Sequence, residues 1–174
     1  MRATWTLLFA IACEPQPEPT AVDPVPTAPA TDSEAPGVSG VLAAHNDVRD
    51  GVDVPPLAYD SDLAEVAAAW IEGLDGEGCN LRHDYSSPYG ENLYWTSATA
   101  DSLEVVSSWE SEVVDYDYAT NSCAPDQMCG HYTQLVWSTT ERVGCAKRQC
   151  SGGRGEIWMC VYDPAGNFSG QRPY

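Results

Sequence analysis

The amino-acid sequence predicts an α+β fold in which helices pack as a sandwich around an antiparallel sheet. Two patterns carry this expectation: apolar residues recur at helical spacing in three early segments, then alternate one-in-two in two late segments. Helices first and strands last, without regular alternation of the two, is the α+β order. A third observation is the presence of 7 cysteines among 174 residues, none in a C-x-x-C pair. That usage favours an oxidised, exported domain braced by disulfides.

At the N-terminus, Arg2 precedes a short apolar run from Trp5 to Ala12. It is too short to span a bilayer but adequate for a signal-peptide core, so residues 1–12 read as a signal peptide. Small Ala10 and Ala12 lead into Cys13, as in a bacterial lipoprotein cleavage site, which makes Cys13 a candidate lipid anchor. The alternative is ordinary cleavage a few residues later. Residues 13–36 are rich in Pro, Ala, Thr and acidic side chains, with Pro15, Pro17, Pro19, Pro24 and Pro26 spaced along them. Such a segment cannot repay the entropy of ordering and reads as an extended tether.

Residues 37–174 form one domain with enough apolar side chains for a core. Val38, Val41, Leu42, His45 and Val48 define a first helix stopped by Gly51. Asp62 and Glu65 form a capping pair for a second, whose face is Leu63, Val66, Ala67, Trp70 and Leu74. Asp101 with Glu104 opens a third, faced by Leu103, Val106, Trp109 and Val113. After Arg142, Val143 and Cys145 alternate in one strand, and Ile157, Met159 and Val161 in another. Gly152-Gly153 between them suits a two-residue hairpin turn, since both positions accept positive φ. Counting outward from that turn sets Cys145 opposite Cys160, and opposed Cα atoms lie roughly 4.5 to 5.5 Å apart, within disulfide range.

Acidic residues number 26 against 8 basic ones, a formal net charge of −18. Nucleic acid is thereby excluded as a partner, and anionic lipid offers no general attraction. Arg142, Lys147, Arg148 and Arg154 gather late in the chain and could seat an anion. The reading favoured over this is a set of solvated charges on exposed strands.

Gly130-His131-Tyr132-Thr133-Gln134-Leu135-Val136-Trp137 resembles the signature segment of the CAP superfamily, the cysteine-rich secretory, antigen-five and pathogenesis-related group-one proteins. Further blocks agree: His45-Asn46-Asp47-Val48-Arg49, Gly90-Glu91-Asn92-Leu93, Trp109 to Glu112, and Cys160 through Phe168. The six cysteines after Cys13 are most similar to the plant group-one pattern. The resemblance implies a three-layer α-β-α sandwich with bridges Cys79–Cys150, Cys123–Cys129 and Cys145–Cys160. It also implies a cleft with His83, Glu91, Glu112 and His131. Asp84 after His83 and Val161 after the last cysteine depart from the plant pattern, as Ser and a polar residue are usual there.

Imidazole and carboxylate are good zinc ligands, so His83 and His131 are candidate metal ligands. The same four groups could equally form a hydrogen-bonded structural network. His45 reads as a core histidine, Arg49, Asn92 and Gln134 as structural polar groups, and Trp137 as core. Tyr85, Tyr89, Tyr94 and Trp95 bracket Glu91 and could line an apolar groove. Neither His-Glu-x-x-His nor Gly-x-Ser-x-Gly occurs. The expectation is therefore a monomeric, extracellular or surface-anchored binding module for a lipid, sterol or small apolar ligand. It touches membrane only through its anchor, and zinc is admissible rather than required. The alternative is a metal-dependent hydrolase using the tetrad, with Glu91 or Glu112 as general base.

Overall fold

The structure, a computed structural model, describes residues 32–174. The expected signal peptide, Cys13 and most of the tether lie outside the described residues. Folded chain begins earlier than residue 37. Asp32 donates its N–H to the Tyr59 carbonyl and its carboxylate accepts from Ser61, while the Ala35 N–H donates to the Tyr59 hydroxyl. The Glu34 carboxylate accepts from the N–H groups of Gly40 and Leu42, both at 2.7 Å. It thereby caps the next helix, whose own N-cap, Gly40, has no side chain to do so.

That helix, α1, is Val41–Asp50 and buries Val41, Ala44, His45 and Arg49. Val38 is buried in the turn before it. A two-residue strand β1, Ala58–Tyr59, leads into α2, Ser61–Gly76. The cap of α2 is Asp60, which accepts from the N–H groups of Asp62 and Leu63, and not the expected Asp62–Glu65 pair. Its buried stripe is Leu63, Ala64, Ala67, Ile71 and Leu74, with the expected Val66 left exposed and Trp70 half-buried. The stripe is rotated toward Ala64 and Ile71, since the first turn of the helix lies backbone-close on the sheet at Gly144.

Strand β2, Gly90–Thr96, follows and was not legible as a strand. In α3, Ser102–Glu110, the expected opening holds, since the Asp101 carboxylate accepts from the Glu104 N–H at 2.9 Å. The buried residues are Ser102, Val105, Val106 and Trp109, whereas the expected Leu103 and Val113 are exposed. The chain tightens after Glu110 into a 3₁₀ helix, Ser111–Asp115, so a 3.6-residue period carried past that point fails. A small ribbon, β3 (Tyr116–Asp117) and β4 (Ser122–Cys123), precedes the short helix α4, Gly130–Leu135.

The last strands are β5, Arg142–Gln149, and β6, Glu156–Asp163. The main sheet has the order β1-β5-β6-β2, antiparallel except for the parallel edge pair β1-β5. Cys145 pairs with Cys160 as counted from the glycines, with Cα atoms 4.1 Å apart. The turn itself is longer than two residues: the chain leaves β5 at Gln149 and enters β6 at Glu156, with positive φ at Gly152, Gly153 and Gly155.

Alternation along the strands builds two cores. Val143, Cys145, Trp158, Cys160 and Tyr162 pack with α1, α3 and α4, and Leu93, Ala146, Ile157, Met159 and Val161 pack with α2. The result is the expected α-β-α sandwich. The bridges are Cys79–Cys150, Cys123–Cys129 and Cys145–Cys160, the pairing that the resemblance implied. Among the described residues, no helix is long and apolar enough to cross a membrane.

Candidate functional site

The four residues that the resemblance places in a cleft form two hydrogen-bonded pairs, His83–Glu91 and Glu112–His131. Glu91 is the second residue of β2, and its pairing with Val161 turns it toward the α2 side of the sheet. His83, in the loop after α2, places Nδ1 3.0 Å from Glu91 Oε2, and the Asp84 N–H donates to that same oxygen at 3.1 Å. The Glu91 side chain is only 5% exposed, and its Oε1 is buried with no hydrogen-bond partner. Glycine is needed just before it, because a Cβ on Gly90 would lie 2.2 Å from Oε1 of Gln134.

The second pair joins the 3₁₀ helix to α4. Glu112 Oε1 lies 2.6 Å from His131 Nδ1, while Oε2 accepts from the backbone N–H groups of His131 and Tyr132. Burial alone would raise the Glu112 pKa, but the His131 ring and those N–H groups outweigh it and hold the carboxyl below its ordinary value. The His131 ring stacks on Trp109 with centroids 6.3 Å apart.

Asn92 connects the pairs. It leaves β2 on the face opposite Glu91, and its Nδ2 donates to the His131 carbonyl and to the Tyr162 hydroxyl. Neither this link nor the Trp109 stack had a local signal in the sequence, since the partners are 39 and 22 residues apart.

With each Nδ1 held by a carboxylate, Nε2 is the nitrogen each histidine has left for a metal. A carboxylate that fixes the Nδ1–H tautomer is the usual support for a ligating histidine, although among the described residues no three of the tetrad bring ligand atoms within 4.8 Å of one another. Among the described residues, the group of three such side chains whose ligand atoms all lie within 4.8 Å is His45, Cys145 and Cys160. Those sulfurs are bonded to each other, which removes them as ligands.

His45 lies outside the cleft, as expected. It is fully buried, its Nδ1 donates to the Val41 carbonyl and its Nε2 accepts from the Tyr162 hydroxyl. Burial pushes its pKa down to about 4, so the ring is neutral. Arg49 is buried and donates to the carbonyls of Pro55, Leu135, Trp137 and Thr140. Gln134 and Trp137 are buried as well.

Other expectations change. The aromatic residues around Glu91 do not share one groove: Tyr85 is 90% exposed, Tyr89 and Tyr94 pack on different cores, and Trp95 bonds the Arg154 carbonyl. The basic segment follows the favoured reading, with Arg142, Arg148 and Arg154 solvent-exposed, and it is locally neutralised. Arg142 pairs with Asp60 and Asp163, Lys147 with Glu156, and Arg148 and Arg154 with Asp75. Val161 packs in the α2-side core, where an apolar residue is suited. Asp84 turns its carboxylate to the Ser86 N–H and hydroxyl.

An α-β-α sandwich that carries two hydrogen-bonded His–Glu pairs defines a recognisable class, and the comparisons agree on the family. The model of the Cysteine-rich secretory protein (CAP) family matches residues 42–162, and the chain belongs to that family. Pathogenesis-related protein 1 of Arabidopsis thaliana is 44% identical over 133 residues, 76% of this chain and 80% of that protein. Among solved structures, Schistosoma mansoni venom allergen-like protein 4 superposes with TM-score 0.62 at 25% identity, over 80% of this chain and 94% of that one. NaASP2, solved with Zn2+, shares the fold with TM-score 0.61 at 22% identity, over 80% and 87% of the respective chains.

Proposed function

We propose that the chain is an exported extracellular binding module, held at a cell surface through Cys13 and its tether, that takes a lipid, sterol or small apolar ligand at the cleft. The observation that carries this reading is the exposure of apolar side chains beside both His–Glu pairs. Tyr85, two residues from His83, is 90% exposed, and Val113 and Val114, next to Glu112, are 41% and 84% exposed. Large apolar groups left in water beside a polar cleft mark a contact surface. In this reading His83 and His131 can add a metal through Nε2, as the Zn2+ structure of a protein with the same fold makes chemically reasonable.

The hydrolase alternative is weaker. A general base must reach water, and both Glu112 oxygens are already engaged while the unpartnered Oε1 of Glu91 is buried. Native mass spectrometry of the purified domain, with and without a chelator, tests the proposal. A copurified apolar molecule that survives chelation supports it. A protein that carries no such molecule, and takes up none when offered sterol or fatty acid, overturns it.

A further inference from the structure

At the opposite end of β2 from Glu91 the molecule has an open recess of about 590 Å³, within the size range of small-molecule sites. Its walls include Asn80, Leu81, Trp95, Ser97 and Arg154, set over the Cys79 end of a disulfide. None of the four His–Glu residues lines it. The walls are fixed to one another. The Cys79–Cys150 bridge ties the loop after α2 to the residue that follows β5, and the Trp95 indole N–H donates to the Arg154 carbonyl at 3.0 Å, which ties β2 to the turn between β5 and β6. A site already held in shape gives up little freedom when a ligand enters.

Apolar and polar groups are open to solvent side by side. Trp95 is 46% exposed and Leu81 45%, and because the indole N–H is already used, Trp95 offers a ligand its ring carbons. Asn80, Ser97 and Arg154 are exposed. The Asn80 amide reaches the Glu77 carbonyl only at 3.5 Å. Arg154 meets Asp75 only through Nη2, 3.5 Å from the carbonyl and 3.9 Å from Oδ1, whereas Arg148 and Ser151 bond the Asp75 carboxylate at 2.7 to 3.0 Å.

This mixture is selective. A lipid or sterol suits an enclosed apolar cavity, and much of this rim is polar. Among the described residues, no histidine, carboxylate or unbonded thiol lines the recess, so a metal has no ligands there. The guanidinium repels an organic cation. An anion meets a chain of net charge −18 and an arginine already shared with Asp75. What fits is a neutral molecule with C–H groups on one face and hydroxyls around its edge, which is the chemistry of a pyranose sugar. Its C–H groups rest on the negative face of an indole, and amide, hydroxyl and guanidinium groups each bond to hydroxyls.

We propose that this recess binds one residue of a neutral sugar, laid on the Trp95 indole and Leu81 with its hydroxyls bonded to Asn80, Ser97 and Arg154. The site is separate from the cleft, so either ligand can fail without the other.

NMR titration of the protein with the neutral trisaccharides cellotriose, mannotriose and triacetylchitotriose tests it. At least one should give saturable shifts at the Trp95 indole N–H. Binding should weaken about tenfold or more in Trp95→Ala and much less in Trp95→Phe, which keeps an aromatic face. Asn80→Ala and Arg154→Ala, at exposed positions outside the core, should each weaken it by roughly a few fold, the worth of one hydrogen bond, and so carry the test if Trp95→Ala disturbs the fold. Glu91→Gln should leave it unchanged. Trp95-dependent retention on insoluble cellulose or chitin identifies a polysaccharide as the source, and trisaccharide binding without retention a soluble saccharide; both support a sugar site. Absence of shifts with every trisaccharide overturns the proposal. So does tighter binding of glucuronate than of any neutral sugar, which marks an anion site, or equal binding of the neutral peptide N-acetyl-Gly-Tyr-Gly-amide, which marks an unselective apolar surface.

Discussion

Glu112 holds His131 by ring and backbone together: Oε1 meets Nδ1 at 2.6 Å and Oε2 accepts the His131 N–H at 2.9 Å. One carboxylate thus orients the imidazole and also satisfies donors at the start of α4, whose N-cap makes no side-chain hydrogen bond. Glu112→Ala should therefore cost stability with or without metal, roughly 1 to 3 kcal/mol for the donors left unpaired. If His131 binds zinc, the same change should weaken that binding by about 10- to 100-fold. Chemical denaturation and zinc calorimetry on the same variant read the two effects separately.

The bridges should differ in value. Cys79–Cys150 spans 71 residues and Cys123–Cys129 spans 6. In the chain-entropy treatment these closures correspond to about 4 and about 2 kcal/mol respectively. Replacing Cys79 and Cys150 by Ala should lower the melting temperature more than replacing Cys123 and Cys129, as differential scanning calorimetry would record.

Gly144 has no room for a side chain. A Cβ there would lie 2.2 Å from the Ala64 amide nitrogen and 2.4 Å from the Asp60 carbonyl oxygen, both backbone atoms of α2 and its cap. Gly144→Ala should push α2 off the sheet and cost about 1 to 3 kcal/mol or more, measured by urea unfolding.

Acid should weaken the fold through His45. Its folded pKa of about 4 is below the ordinary 6.5, so the unfolded chain binds more protons between those values. Stability then rises with pH across that window, and falls by up to roughly 3 kcal/mol as pH drops from 6.5 to 4. Below about pH 4 this group contributes no further loss. His45→Gln should flatten the dependence in urea unfolding curves taken across the window.

The three long helices were legible because each is opened by a polar cap or stopped by glycine and carries an apolar period, though the inward face was mistaken twice. In α2 Leu63, Ala67 and Leu74 face inward as expected, but Ala64 and Ile71 join them in place of Val66 and Trp70, because the close backbone approach at Gly144 turns position 64 to the sheet. In α3 the change to a 3₁₀ helix after Glu110 moves Val113 outward. Strand β2 was hidden because it has buried side chains on both faces, Leu93 toward α2 and Asn92 toward Tyr162, so no alternation shows. Helix α4, of 6 residues, is too short to display a period. The cleft residues were reached only through the family resemblance. His83 and Glu91 are 8 residues apart and Glu112 and His131 are 19 apart, spacings that only the tertiary fold brings into hydrogen-bond range.

The buried Arg49 fork, which donates to the carbonyls of Pro55, Leu135, Trp137 and Thr140, sets a limit on how this chain can change. Lysine has donors but presents them from one nitrogen, and cannot reach carbonyls spread around a planar guanidinium. If position 49 were randomised and the resulting library selected for folded, protease-resistant molecules, arginine should return almost alone, while its neighbour Asp50, exposed at the end of α1, should drift freely.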